Sequence, residues 1–288
     1  MKQLLICLSV LILATGGLQA ADDTLEVWHK TADFSFMISQ TAYSDSWTGG
    51  EAGNATWTAK IDGLFEGPLN PSFYSKTTLK LAFGQTHVQD KDTKDWEKPV
   101  KSTDEIDLES VASYRSSWFV NPFFSFRFES QFLDASVDAV KRYFNPITLT
   151  QAAGFTKRLY SKEEQFIDAR LGFAFREHLD RIVTDTVAET TEMETTTGGG
   201  FESVTDMQVK PHQDIKINSR LSVYKPIMVS DETPYWAMWE AEWKNTINMS
   251  VTKVIAVSLY LEWLYDKDID LRGRIKETLG IGITYNLM

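Results

Sequence analysis

Residue types that could do chemistry are few in this chain. It has 288 residues with one cysteine and four histidines. The cysteine, Cys7, sits in an apolar N-terminal run, so it offers the body of the chain neither a disulfide nor a thiolate nucleophile. A Ser–His–acid hydrolase needs a histidine held against a hydroxyl and oriented by a third group. His29, His87, His178 and His212 are far apart in sequence, and neither G-x-S-x-G nor H-x-S surrounds the two expected at an outer rim, His87 and His178. No H-E-x-x-H or C-x-x-C spacing points to zinc. Asp266-Lys267-Asp268-Ile269-Asp270 is acidic but lacks the full calcium-loop pattern. Gly198-Gly199-Gly200 lacks the strand–helix context of a phosphate cradle and reads as a loop hinge. A non-enzymatic protein without cofactor or metal is expected, with an outer-membrane lipid hydrolase as the third reading.

The other chemistry-bearing residues are charges that alternate with apolar residues. Phe124, Phe126 and Phe128 interleave with Ser125, Arg127 and Glu129. Ile167, Ala169, Leu171, Phe173 and Phe175 interleave with Asp168, Arg170, Gly172 and Arg176. Further on, Lys216 and Arg220, then Glu240, Glu242 and Lys244, and finally Glu262 and Arg274, oppose apolar partners in the same way. In a strand the two sets face opposite sides of the sheet. Parity adds Lys60, Asp62, Lys76, Lys80, Asp107, Glu109, Arg115 and Lys276 to the charged face.

About twelve such segments are expected, at 33–43, 54–66, 72–86, 104–116, 121–133, 146–159, 165–178, 201–210, 214–226, 235–249, 252–265 and 272–287. Many exceed the usual globular strand of about 5–6 residues and suit a tilted membrane crossing of about 9–11. Short turns such as 67–71 and 210–213 alternate with longer polar loops, of which 179–200 is the longest. That parity is the pattern of an up-and-down antiparallel transmembrane β-barrel, with short turns periplasmic and long loops outside. Tyr235, Trp236, Trp239, Trp243, Trp263, Tyr265 and Tyr285 suit the membrane interface. The inverse assignment, a soluble sandwich, would turn the charges outward.

Lys2, the apolar Leu4–Ala14 and the small-residue stretch ending at Ala20 read as a cleavable signal peptide, 1–20. A short periplasmic segment, 21–32, and a barrel, 33–288, follow. The formal net charge is −11, and losing Lys2 makes it one unit more negative, which argues against a nucleic-acid partner. The expected setting is the bacterial cell outer membrane, the expected partners its lipid and, during insertion, the barrel-assembly machinery. Two readings of the charged face stand level. One is a water-filled pore for passive transport or binding of small solutes. The other is a lumen closed by paired charges, in a structural or interaction barrel that meets partners through its loops.

Two motifs carry a resemblance. Ser46-Trp47-Thr48-Gly49-Gly50, followed by Gly53 and Asn54, is similar to the N-W-x-x-G-G-x-N/S signature of an uncharacterised family of Bacteroidota outer-membrane-type proteins, domain of unknown function 3078. Leu264 to Asp268, followed by Lys276-Glu277-Thr278-Leu279-Gly280-Ile281-Gly282-Ile283-Thr284-Tyr285, resembles the ending of its members. Ser46 stands where the family has Asn, and the chain ends in Met288 rather than an aromatic. The resemblance implies a barrel fold and outer-membrane location, and no catalytic residue. Trp47, Gly49 and Gly50 are expected to form a strand-end turn that pins register, with a shaped binding surface as the alternative.

Overall fold

The computed structural model describes residues 27–44, 52–137, 139–230, 238–267 and 270–288. The expected leader, the Trp47-Thr48-Gly49-Gly50 turn, Tyr235 and Trp236 lie outside these residues. The described residues form strands and no helix long and apolar enough to cross a membrane. The strands are β1 (His29–Thr41), β2 (Asn54–Asn70), β3 (Phe73–Val88), β4 (Val100–Tyr114), β5 (Asn121–Ser130), β6 (Leu133–Asp134), β7 (Arg142–Tyr143), β8 (Ile147–Lys162), β9 (Gln165–Asp185), β10 (Thr190–His212), β11 (Ile215–Val229), β12 (Glu240–Ser250), β13 (Ile255–Tyr265) and β14 (Arg274–Asn286).

Twelve of these close into one antiparallel barrel, in the ring order β1-β14-β13-β12-β11-β10-β9-β8-β5-β4-β3-β2. Each strand pairs with the next barrel strand in sequence. The first and last close the ring from Asp33↔Asn286 to Ile38↔Ile281. Closure leaves no unpaired sheet edge, a condition for backbone in lipid. The pair β6 and β7 forms a small separate hairpin between β5 and β8.

The two faces follow from side-chain alternation. Outward residues are large and apolar, and they remain exposed: Phe124 by 56%, Leu171 by 60%, Phe201 by 55% and Ile281 by 61%. A soluble monomer does not leave a belt of this kind uncovered, whereas a transmembrane barrel presents it to acyl chains. The inward face carries the charges, and among the described residues its apolar cluster is Phe123, Ala152, Ala174 and Tyr224 with Val111. Small residues make room for those rings. Gly154 and Gly172 face each other across β8 and β9, and a Cβ on either would collide with the opposing backbone.

Three differences from the sequence expectation stand out. β1 starts at His29, paired with Glu66, so the barrel takes in the end of the 21–32 segment, and His29 does not precede the barrel but opens it. The expected 179–200 loop is a continuation of β9 and β10, paired from Leu179↔Thr195 out to Thr190↔Asp185 around a short turn. Thr190–Thr197 is rich in β-branched residues that favour strand. It shows no alternation, because beyond the membrane both faces are wet. For the same reason Gly198, Gly199 and Gly200 are not a loop hinge. They pair with β9, and the register with β11 shifts between Gly199 and Gly200. A Cβ on Gly200 would strike the Lys225 backbone, so glycine is what lets the bulged strands approach.

Candidate functional site: a charged lumen in two halves

An ion pair between strands that are not neighbours in the ring must cross the lumen, and several do. Lys244 on β12 reaches Glu105 on β4 at 3.2 Å, between strands on opposite sides of the ring. Lys244 also holds Glu242 at 3.0 Å. This strut divides the lumen. On one side lie β5, β8, β9, β10 and β11, and on the other β3, β2, β1, β14 and β13.

The first half is filled. Glu109 on β4 accepts hydrogen bonds from Arg170 on β9 through Oε1 and from Arg220 on β11 at 2.7 Å through Oε2. Arg127 binds Asp107 in bidentate fashion, at 3.0 Å from Nε and 2.9 Å from Nη2, and also pairs with Glu129 at 2.9 Å. Arg220 reaches Asp206 at 3.4 Å. Toward the mouth Arg176 joins Glu240 at 2.7 Å and Glu202 at 3.4 Å, with its guanidinium 3.7 Å from the Tyr224 ring centroid. Toward the short turns Arg158 binds Asp168 at 2.7 Å and Glu66 at 3.3 Å. Lys76 on β3 reaches Asp168 at 2.8 Å, and Tyr74 on β3 donates to Glu66 on β2 at 2.6 Å, so at the short-turn end the paired network crosses to the other side of the strut. Glu109, Asp107, Arg127, Arg170 and Arg220 are all buried, although they face a lumen rather than a core. Water is excluded there because each charge has a counter-charge within hydrogen-bond reach, which buried ions require.

The second half is different. Lys60 and Asp62 on β2, Lys80 on β3, and Arg274 and Lys276 on β14 share the lumen face, by their register with Ser35, Asp33, Asp107, Leu264 and Glu262. Asp62 and Lys276 are exposed, so solvent enters this half. Lys60 Nζ lies 5.0 Å and Lys276 Nζ 6.0 Å from the centroid of the Tyr260 ring on β13. Among the described residues none of Lys60, Lys80, Lys276 and Arg274 forms an ion pair.

The twelve charges singled out in the sequence occupy lumen positions. Arg127, Glu129, Asp168, Arg170, Arg176, Arg220, Glu240, Glu242 and Lys244 belong to the paired network. Glu262 and Arg274 border the wetter half, and Lys216 lies near the short-turn end opposite Asn248. Sequence reading passed over Glu66, Glu105, Arg158, Glu202 and Asp206. Glu105 shares parity with Asp107 and Glu109, and Glu202 with Asp206, so alternation could have found these. Arg158 shares the parity of Gly154 and Thr156 and is the last residue in register before a shift between Arg158 and Tyr160. The histidines stay apart. His178 meets the Thr148 hydroxyl at 3.0 Å on the lumen side of the outer rim. Among the described residues no three His, Cys, Asp or Glu converge as metal ligands would.

These features define a transmembrane β-barrel whose lumen is half packed with ion pairs and half open to water. Residues 38–135, from β1 through β6, match the sequence model of a family described as a protein of unknown function (DUF3078), a stretch that includes Trp47, Gly49 and Gly50. No curated protein matches the chain. Solved structures of similar shape include an outer membrane channel from Pseudomonas putida F1, at 12% identity and TM-score 0.42, covering 93% of this chain and 99% of that one. The translocator domain of autotransporter NalP from Neisseria meningitidis aligns at 8% identity and TM-score 0.35, over 99% of this chain and 94% of that one. The NanC porin aligns at 8% identity and TM-score 0.34, over 88% and 98%. Likeness this distant carries no functional assignment.

Proposed function

We propose that this protein resides in the bacterial outer membrane and provides a narrow, non-enzymatic passage for small polar solutes, confined to one half of its lumen. The observation that carries the reading is the contrast across the Glu105–Lys244 strut: buried, mutually paired charges on one side, exposed Asp62 and Lys276 on the other. A strongly paired half is poor at binding solutes, because its charges already hold counter-charges that a solute would have to displace. The unpaired half offers polar groups to a solute without first breaking a salt bridge, as a conducting path needs. The exposed apolar belt supports lipid as the surrounding partner, and insertion would require barrel-assembly machinery. The resemblance of the terminal motifs supports a Bacteroidota origin.

Single-channel recording of the folded barrel in a planar bilayer tests this reading. Small, stable, salt-dependent steps are expected. Silence from a barrel verified by heat-modifiable gel migration would favour the second reading, a structural or interaction barrel with a closed lumen. That reading draws its support from the same cross-lumen ion pairs and from the long β9–β10 hairpin.

A further inference from the structure

We infer that the water-reached half of the lumen is an anion site, built by Lys276 on β14 and Lys60 on β2 around the Tyr260 ring, with Arg274 further along β14 and Lys80 next along the wall. The inference rests on the passage proposed above and names the solute class it would take: small oxyanions and carboxylate-bearing solutes.

Three observations carry it. Two ammonium groups, from strands that are not neighbours, flank one tyrosine ring at 5.0 and 6.0 Å from its centroid with no carboxylate bound to either. In a narrow lumen of reduced dielectric like charges repel strongly, and an anion between them removes that penalty. The Nε and Nη2 of Arg274 are buried and lack a hydrogen-bond partner. A guanidinium in that state is short of acceptors, and its planar fork suits a carboxylate or phosphate. Solvent reaches the site, since Lys276 is exposed.

The carboxylates facing this half do not cancel the cations locally. Glu105 is held by Lys244 at 3.2 Å and Asp270 by Arg272 at 3.3 Å, while Asp33 and Glu262, hydrogen-bonded to the Asn286 amide and the Tyr260 hydroxyl, keep their charge and temper the field without forming an ion pair with these cations. Asp62 is exposed and lies beside Lys60 and Lys80 on the wall, so it tempers their field without forming an ion pair with either. The contrast with the other half is in side-chain chemistry. There most of the cations are arginines, and all are engaged by carboxylates, Lys76 and Lys244 included. Here three of the four are lysines, point charges that can release an anion as readily as they take it up.

The test uses two readouts on the folded barrel in detergent and in a planar bilayer. In calorimetry, inorganic phosphate is expected to bind the wild-type protein, and Arg274→Gln or Lys276→Gln to weaken binding about tenfold or more. In a KCl gradient the reversal potential is expected to favour chloride, and Lys60→Glu with Lys276→Glu to move it toward potassium. Gel migration confirms that each variant folds, and Lys60→Gln with Lys276→Gln replaces the reversal pair if that pair does not. Phosphate binding to a silent barrel would remove the passage and leave the anion site standing. Conductance without phosphate binding, and with selectivity indifferent to these lysines, would overturn the anion site and leave the passage standing. A barrel that neither conducts nor binds phosphate would overturn both.

Discussion

Glu109 is the residue on which the packed half of the lumen turns, and Glu109→Gln measures how dry that half is. Its two oxygens serve two arginines, Arg170 and Arg220, from strands on the far side of the lumen, and the three side chains are 4%, 7% and 7% exposed. The substitution keeps the size but removes the charge. One carbonyl oxygen remains to accept, and the new amide turns donors toward a guanidinium that also donates. Two buried cations are left without a full counter-charge. Breaking a buried pair from one side costs about 3–5 kcal/mol, because the remaining ion is desolvated and uncompensated. The shared carboxylate puts Glu109→Gln in that range, well above the roughly 1 kcal/mol ceiling of an exposed pair. The assay is urea unfolding of the barrel in detergent micelles, followed by tryptophan fluorescence and heat-modifiable migration. A loss under about 1 kcal/mol would refute the reasoning, since it would mean that water already solvates Arg170 and Arg220. Replacing all three residues with apolar side chains of similar volume should recover much of the loss, as a desolvated triad predicts.

Four other outcomes are expected. Lys244→Gln removes the strut between the halves, and single-channel conductance should rise; unchanged conductance would show that the strut does not bound the water path. Gly172→Val forces a Cβ into the Ala153 and Gly154 backbone of the adjacent strand, and the yield of folded, heat-modifiable barrel should fall sharply. Arg272→Ala breaks an exposed loop pair with Asp270 and should leave the urea midpoint where it was. Burial pushes the Asp134 carboxyl upward, but the Ser136 N–H, the Asn145 amide and the Arg142 guanidinium outweigh it and hold its pKa below the ordinary value. A depressed folded-state pKa gives stability that is full above the unfolded value of about 3.9 and is lost as pH falls through the folded one. The β6–β7 hairpin should therefore gain hydrogen exchange only at acid pH, and Asp134→Asn should abolish that dependence.

Much of the barrel was legible in the chain because a membrane imposes its own grammar. Lipid on one side and charges on the other force period two, so Phe124–Phe126–Phe128 against Arg127 and Glu129 could be placed on their faces without a partner strand. Loop parity likewise showed which turns are short. The same logic explains the failures. Above the membrane both faces of a strand are wet, so the paired extension of β9 and β10 carried no alternation and read as loop. Arg158 keeps the parity of its strand, but it is the last residue to do so before a register shift, and the small and hydroxyl residues that precede it on that face hid the charged stripe.

Sequence alone determined which side chains enter the lumen, since alternation depends only on strand geometry and the burial of one face. It could not determine which of them meet. Glu105 and Lys244 are 139 positions apart and on opposite walls, and nothing local couples them. Ring closure, stagger and wall-to-wall distance set that pairing. The tertiary structure therefore decided that one set of charges neutralise each other, with Glu109, Arg170 and Arg220 buried at its centre, while Lys60, Lys80, Arg274 and Lys276 form no ion pair among the described residues.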